Sequence, residues 1–173
     1  MSIFKPELKP GIDLIICWPN SMDYPVWRAF ILKHQELFGK IFIVFTETNA
    51  GVDYTDFVKE ALKGDRFEFL YPEPTQAGED WRNNAVNMAL DRSTANWVWF
   101  TEQDLLVTGP QFWQIIALSM TKYDVIGYKE GNRLHPANLW VKREFINKTT
   151  RNFGIVPDQS DHFAKFFFSL RHS

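Results

Sequence analysis

The sequence predicts an α/β fold, a three-layer α/β/α arrangement around a mostly parallel central sheet, and three observations carry this. Short apolar runs of strand length alternate with segments whose apolar residues recur at helical spacing. The runs are continuous rather than every second residue, as in strands covered on both faces. The 173 residues are 45% apolar and 23% charged, enough for one proper core, so residues 1–173 read as a single domain.

Taken in order, "DLIICW" (13–18) is the first strand, followed by the turn-like "PNSMDYP". In "VWRAFILKHQELF" (26–38), Val26, Phe30 and Leu37 share a stripe with Trp27, Ile31 and Phe38 beside it, which is helical spacing halted at Gly39. "KIFIVF" (40–45) is a second buried strand. After "TETNAG", Tyr54, Phe57, Val58, Ala61 and Leu62 predict a helix over 53–62, with Asp53 as N-cap and Gly64 as stop. "RFEFLY" (66–71) is a third strand closed by "PEP". Trp81, Ala85, Met88 and Ala89 mark a helix over about 80–92, and "NWVWF" is the fourth strand. Pro110 suits the first turn of a helix running to about Lys122. "YDVIGY" (123–128) and "NLWVKR" (138–143) read as two further strands separated by a loop, "KEGNRLHPA". A last helix starting near Asp158 would bury Phe163, Phe166, Phe167 and Leu170. There is no internal repeat, low-complexity tract or linker. Crossovers of the usual hand place helices on both faces of such a sheet.

Bulk properties exclude several classes. A net charge of −2 gives no general attraction to nucleic acid or to an anionic membrane. One cysteine, Cys17, rules out an internal disulfide and a cysteine-rich zinc site. Its place inside an apolar strand makes it a core residue. The first residues, "MSIFKPELKPG", have no apolar stretch like a signal peptide, and no run reaches the ~20 residues of a membrane span. A soluble, cytoplasmic protein is expected. With 16 Phe and 7 Trp, most rings must fill the core, although Trp18, Trp81 and Trp140 are also candidates to stack on a sugar or base.

Chemistry concentrates at "NWVWFTEQDLLV", where a buried strand runs into Glu102, Gln103 and Asp104. Extended residues two apart share a side, so both carboxylates point together. Bare acids at the mouth of an apolar strand need water, a cation or a hydrogen-bond network. Two converging carboxylates suit a hard divalent cation such as Mg²⁺ or Mn²⁺. In open α/β sheets ligands bind beyond the carboxyl ends of the strands, where "PNSMD", "TETNAG" and "TEQD" all fall.

The longer stretch "WRNNAVNMALDRSTANWVWFTEQDLLV" places Arg82 and Asn83 at the start of a helix and the acidic pair one small-residue helix later. This order resembles the family-two-like glycosyltransferases of the GT-A fold, whose pattern runs Arg-Asn, an alanine-rich helix, then a strand ending in Asp-x-Asp. The likeness reaches more loosely from Pro19 and Asn20 to "PDQSDHF", and so covers most of the chain. It implies a nucleotide-diphosphate-sugar donor, UDP- or GDP-linked, whose diphosphate is bridged by Mn²⁺ or Mg²⁺, and an acceptor it does not name. Glu102 and Asp104 match the metal motif, with glutamate replacing the first aspartate; His135 and His162 are further candidate ligands. Pro19, Asn20, Glu47, Arg82, Asn83 and Gln103 fall where the family binds the donor, although "TETN" departs from its acidic, serine-bearing turn after strand two.

Asp158 and Asp161 match the position of the family's catalytic base, which takes the proton of the acceptor hydroxyl in inverting enzymes. Asp158 equally suits a helix N-cap, and acids in a first turn suit the dipole. Arg82 reads either as phosphate-facing or as a salt-bridge partner, Asn83 as a cap, and Lys129 and Arg133 as phosphate ligands or solvated loop residues. Two other functions compete with glycosyl transfer. A nucleotidyltransferase also uses acidic metal ligands on an α/β sheet, but "WPNSMDYP" offers no glycine-rich basic phosphate loop. A non-catalytic binding or assembly module derived from the glycosyltransferase fold would fit the short chain and the altered turn.

Overall fold

The computed structural model describes residues 11–46, 51–71, 81–103, 111–130 and 133–148. Six strands form one sheet: β1 (Ile12–Pro19), β2 (Ile41–Thr46), β3 (Phe67–Leu70), β4 (Trp97–Glu102), β5 (Val125–Glu130) and β6 (Arg133–Lys142). Their order is β3-β2-β1-β4-β6-β5. The pairs β2–β3, β1–β2 and β1–β4 are parallel, while β6 runs antiparallel to both β4 and β5. Five of the six strands therefore point the same way, which is the mostly parallel sheet the sequence predicts.

Helices cover both faces. α1 (Pro25–His34), α2 (Thr55–Ala61) and α4 (Phe112–Met120) lie on one side; α3 (Trp81–Arg92) and α5 (Arg143–Lys148) lie on the other. The period-two alternation of the strands feeds both layers. Leu14, Ile16, Trp18, Ile41 and Ile43 pack with Trp27, Phe30 and Ile31 of α1 and Val58 of α2. Ile15, Cys17, Phe42 and Val44 pack with Val86, Ala89 and Leu90 of α3 and Ile146 of α5. An aromatic stack anchors the first layer. Trp99 lies 4.3 Å from Trp140, centroid to centroid, with their planes 12° apart, and Trp27, Phe30, Phe112 and Trp113 surround it. Trp18 and Trp140 are 0% and 1% exposed. The expectation that either stacks on a sugar is thereby corrected, since a ring sealed between sheet and helix has no face left for ligand. Cys17 is buried as expected.

Several boundaries differ from those read in the sequence. The first helix ends at His34 and continues as a single 3-10 turn, Gln35–Leu37. The "KEGNRLHPA" segment is no open loop: Lys129 pairs with Leu134 and Glu130 with Arg133, so β5 and β6 form a hairpin. β6 reaches back to Arg133 through a register irregularity that includes Pro136. Such a bulge is where a strand tolerates proline, which has no N–H to give the ladder. The short α5 was not foreseen. It starts where the Arg143 amide donates to Asn96 O at 2.7 Å and its guanidinium to the carbonyls of Ala95 and Leu90, turning the chain off the sheet.

The amino edge of the sheet is locked by Asp13, 2% exposed in an otherwise apolar strand. Its Oδ1 accepts from the Lys40 amide at 2.8 Å; its Oδ2 accepts from the Ser93 hydroxyl at 2.6 Å and the Ala95 amide at 3.3 Å. Arg143 in turn donates to Ser93 Oγ. One carboxylate thus ties β1, the segment entering β2, and the carboxyl end of α3 together, which satisfies the rule that a buried charge must be fully hydrogen-bonded.

Candidate donor site at the carboxyl edge of the sheet

The opposite edge gathers the polar segments. In register, Pro19 of β1 lies beside Thr46, the last residue of β2, and Glu102, the last residue of β4, lies beside Cys17. Cys17, Val44 and Phe100 belong to the α3-side core. Two residues further along each strand, Pro19, Thr46 and Glu102 therefore share that side.

α3 reaches this edge with its amino end. Its carboxyl end is pinned at the amino edge through Ser93 and Asp13, and Val86, Ala89 and Leu90 lie against the sheet. Twelve residues at about 1.5 Å each span about 18 Å, close to the length of a six-residue strand. Arg82 and Asn83, in the first turn, are consequently carried to the edge that holds Glu102.

Asn20 is fixed by its backbone. Its amide donates to Thr46 O at 3.0 Å and its carbonyl accepts from the Tyr54 amide at 2.7 Å. The connection leaving β1 is thereby stitched to the end of β2 and to the residue preceding α2. Gln103 follows Glu102 in a turn, and both are half-buried. Thr46, which the sequence reading passed over, is 3% exposed, and its Oγ1 has no hydrogen-bond partner among the described residues. Asn87 Oδ1 of α3 is a second such buried oxygen. Thr46 was legible in part: it opens "TETN" and continues the Phe42–Val44 alternation on the α3 side.

Of the residues singled out from the sequence, Pro19, Asn20, Glu102 and Gln103 lie together at this edge, and the first turn of α3 brings Arg82 and Asn83. His135 lies on β6, three residues beyond Asn138, the last residue paired with β4, within the irregular stretch. Glu47, Asp104, Asp158, Asp161 and His162 lie outside the described residues. Among the described residues, no three His, Cys, Asp or Glu side chains come together as a metal-binding group. Glu102 is the one described acid of the proposed set, and its half-buried carboxylate is of the hard oxygen class that suits Mn²⁺ or Mg²⁺.

Two carboxylates near this edge are held below the usual carboxylate range. Asp23 is lowered by its side-chain hydrogen bond to Arg28, helped by the charge of that guanidinium. Asp53 is lowered by hydrogen bonds from Thr55, side chain first and then amide, the latter at 2.9 Å. Asp53 thus serves the start of α2 from one residue before its N-cap, Tyr54.

No family model and no curated protein sequence matches the chain. Solved structures do. Glucosyl-3-phosphoglycerate synthase from Mycobacterium tuberculosis superposes with a TM-score of 0.59 at 16% identity, over 86% of this chain and 64% of that one. The same enzyme in complex with Mn²⁺, uridine diphosphate and glucosyl-3-phosphoglycerate gives 0.57 at 13% identity, over 85% and 62%. A mannosyltransferase from Pyrobaculum calidifontis in complex with GDP-mannose and Mn²⁺ gives 0.56 at 14% identity, over 83% and 48%. The chain spans less than two thirds of the length of each. No helix among the described residues is long and apolar enough to cross a membrane. The fold of this chain is that of the GT-A nucleotide-sugar glycosyltransferases.

Proposed function

We propose that the chain is a glycosyltransferase that takes a sugar from a UDP- or GDP-linked donor, acts in the cytoplasm, and uses the carboxyl edge of its sheet as the donor site. The observation that carries this reading is the convergence there of Pro19 of β1 with Asn20 just after it, Thr46 of β2, and Glu102 of β4 with Gln103 just after it. It is supported by a fold shared with enzymes solved with UDP, UDP-glucose or GDP-mannose and Mn²⁺.

In this reading Asn20 and Glu47 meet the base and ribose. The Thr46 hydroxyl is buried and unpartnered among the described residues, so Thr46 supports this edge from within and does not touch the ligand. Arg82 and Asn83, carried by the amino end of α3, would bind the diphosphate, since a guanidinium and a helix dipole both favour anionic oxygen. Glu102 and Asp104, with His135 as a further ligand, would hold Mn²⁺ or Mg²⁺. A bound cation of this kind supplies charge neutralisation to the departing diphosphate. Asp161 or Asp158 would accept the proton of the attacking acceptor hydroxyl, which gives inversion at the anomeric carbon.

The test is product release. UDP-glucose and GDP-mannose are incubated with the protein, Mn²⁺ and a panel of acceptors, and phosphorus-containing products are resolved. Release of nucleoside diphosphate dependent on Glu102 supports glycosyl transfer. Release of sugar 1-phosphate, with the nucleoside monophosphate unit passed to the acceptor, points instead to nucleotidyl chemistry, and nucleotide binding without any release points to a binding module.

A further inference from the structure

Asp23, Arg28 and Phe57 form a cluster at the donor edge that the proposed chemistry does not use. Asp23 lies in the connection between β1 and α1, three residues after Asn20. Arg28 on α1 donates from Nε to Asp23 Oδ1 at 2.8 Å and from Nη2 to Oδ2 at 2.9 Å, a two-pronged pair with both side chains about four-fifths buried. The same guanidinium lies 5.2 Å from the centroid of the Phe57 ring on α2. Phe57 meets the Tyr54 ring edge-on at 6.3 Å, and it is the Tyr54 amide that donates to Asn20 O.

We infer that Arg28 is a positioning residue: a clamp that grips the connection after β1 through Asp23, grips α2 through Phe57, and so fixes Asn20 at the carboxyl edge before any ligand arrives. The planar fork is what makes one side chain able to do both. Its edge takes the carboxylate by two parallel hydrogen bonds, while its face remains for the ring. Between the two grips, Asn20 is held through its own amide and carbonyl, at 3.0 and 2.7 Å. Pre-ordering a binding segment removes an entropic cost from the binding step. The clamp rests on the donor-site reading only for what Asn20 meets.

Amide exchange separates the clamp from general stability. In Arg28→Ala, the amides of Asn20 and Tyr54 should exchange about tenfold faster, as expected of a local opening rather than a global one. The amino-edge amides of Ile41 and Trp97, bonded to Arg66 O and Gly11 O, should keep their wild-type rates. Arg28→Lys retains the charge without the fork and should fall between. Dissociation constants for GDP with Mn²⁺ should rise about five- to tenfold in Arg28→Ala, and less in Arg28→Lys. Unchanged exchange at Asn20 and Tyr54, or an equal increase at both edges, overturns the clamp. Faster exchange at these two amides with an unchanged GDP constant overturns its role in positioning Asn20. A wild-type protein that binds no nucleotide removes the donor reading, while the exchange result still decides the clamp.

Discussion

Replacing Asp13 by alanine should unfasten the amino edge of the sheet and leave the carboxyl edge intact. The carboxylate accepts two short hydrogen bonds, from the Lys40 amide at 2.8 Å and the Ser93 hydroxyl at 2.6 Å, and a longer one from the Ala95 amide at 3.3 Å. Its side chain is almost fully buried, so its loss strands donors where water does not reach easily. Each stranded donor to a charged acceptor costs about 1.5–2 kcal/mol, and relief of the buried charge offsets only part, so the net loss should be about 3 kcal/mol. At about 2–4 °C per kcal/mol for a chain of this size, the melting midpoint should fall by about 6–12 °C. Urea denaturation gives the value: the midpoint moves down while the slope m stays constant. Ser93→Ala should cost about 1 kcal/mol, because Arg143 keeps its bonds to Ala95 O and Leu90 O. The double mutant should lose less than the sum, since the two residues share one bond. Pro19 is six residues beyond Asp13 on β1, about 20 Å away, so nucleotide affinity of the folded variant should be unchanged. A loss below about 1 kcal/mol for Asp13→Ala, or full additivity with Ser93→Ala, would refute the buried-anchor reasoning.

Gly39→Ala should test the same anchor sterically: a Cβ there meets Asp13 Oδ1 at 3.0 Å, and because Asp13 is held from three sides the expected loss is about 1 kcal/mol by urea denaturation. Asp23 has a folded-state pKa below its unfolded value because of Arg28, so its contribution is fully present above the unfolded carboxylate pKa and is lost as pH falls through the folded value. An acid titration of stability should therefore show a limb below about pH 4 that Asp23→Asn flattens, at a cost near neutrality of about 1 kcal/mol. Glu102→Gln keeps size and removes charge; it should weaken Mn²⁺-dependent nucleotide binding about tenfold or more while leaving the melting midpoint within about 2 °C, read by calorimetry and thermal denaturation. Thr46→Val removes a buried hydroxyl that has no partner among the described residues, at nearly constant volume, and should leave the protein as stable or more so, read by thermal denaturation.

The sheet was legible because its strands are buried on both faces and so read as unbroken apolar runs. "DLIICW", "KIFIVF" and "NWVWF" were each placed to within two residues. The hairpin was not. "KEGNRLHPA" is polar and carries a proline, and β6 accommodates it only through an irregularity set by its pairing partners, which no local pattern records. α5 escaped for a similar reason, since its start depends on Arg143 meeting carbonyls some fifty residues away in sequence. Asp13 is only the first residue of "DLIICW" in the sequence, and the contacts with Ser93 and Ala95 show it as an anchor. At the candidate site, the carboxyl ends of β1, β2 and β4 were predicted to meet, because parallel strands put their ends on one edge. That Thr46 Oγ1 has no partner among the described residues, and that Arg28 grips Phe57, could not be foreseen, since both depend on side-chain packing between elements.

The most direct test of the donor site is a calorimetric titration with UDP and GDP, each with and without Mn²⁺, on the wild-type protein and on a Glu102→Ala/Asp104→Ala double variant. The account predicts binding of at least one nucleotide that requires both the metal and the two acids. Absence of binding by any nucleotide, in wild-type protein shown to be folded, would contradict it and leave Glu102 an ordinary acid at the end of a strand.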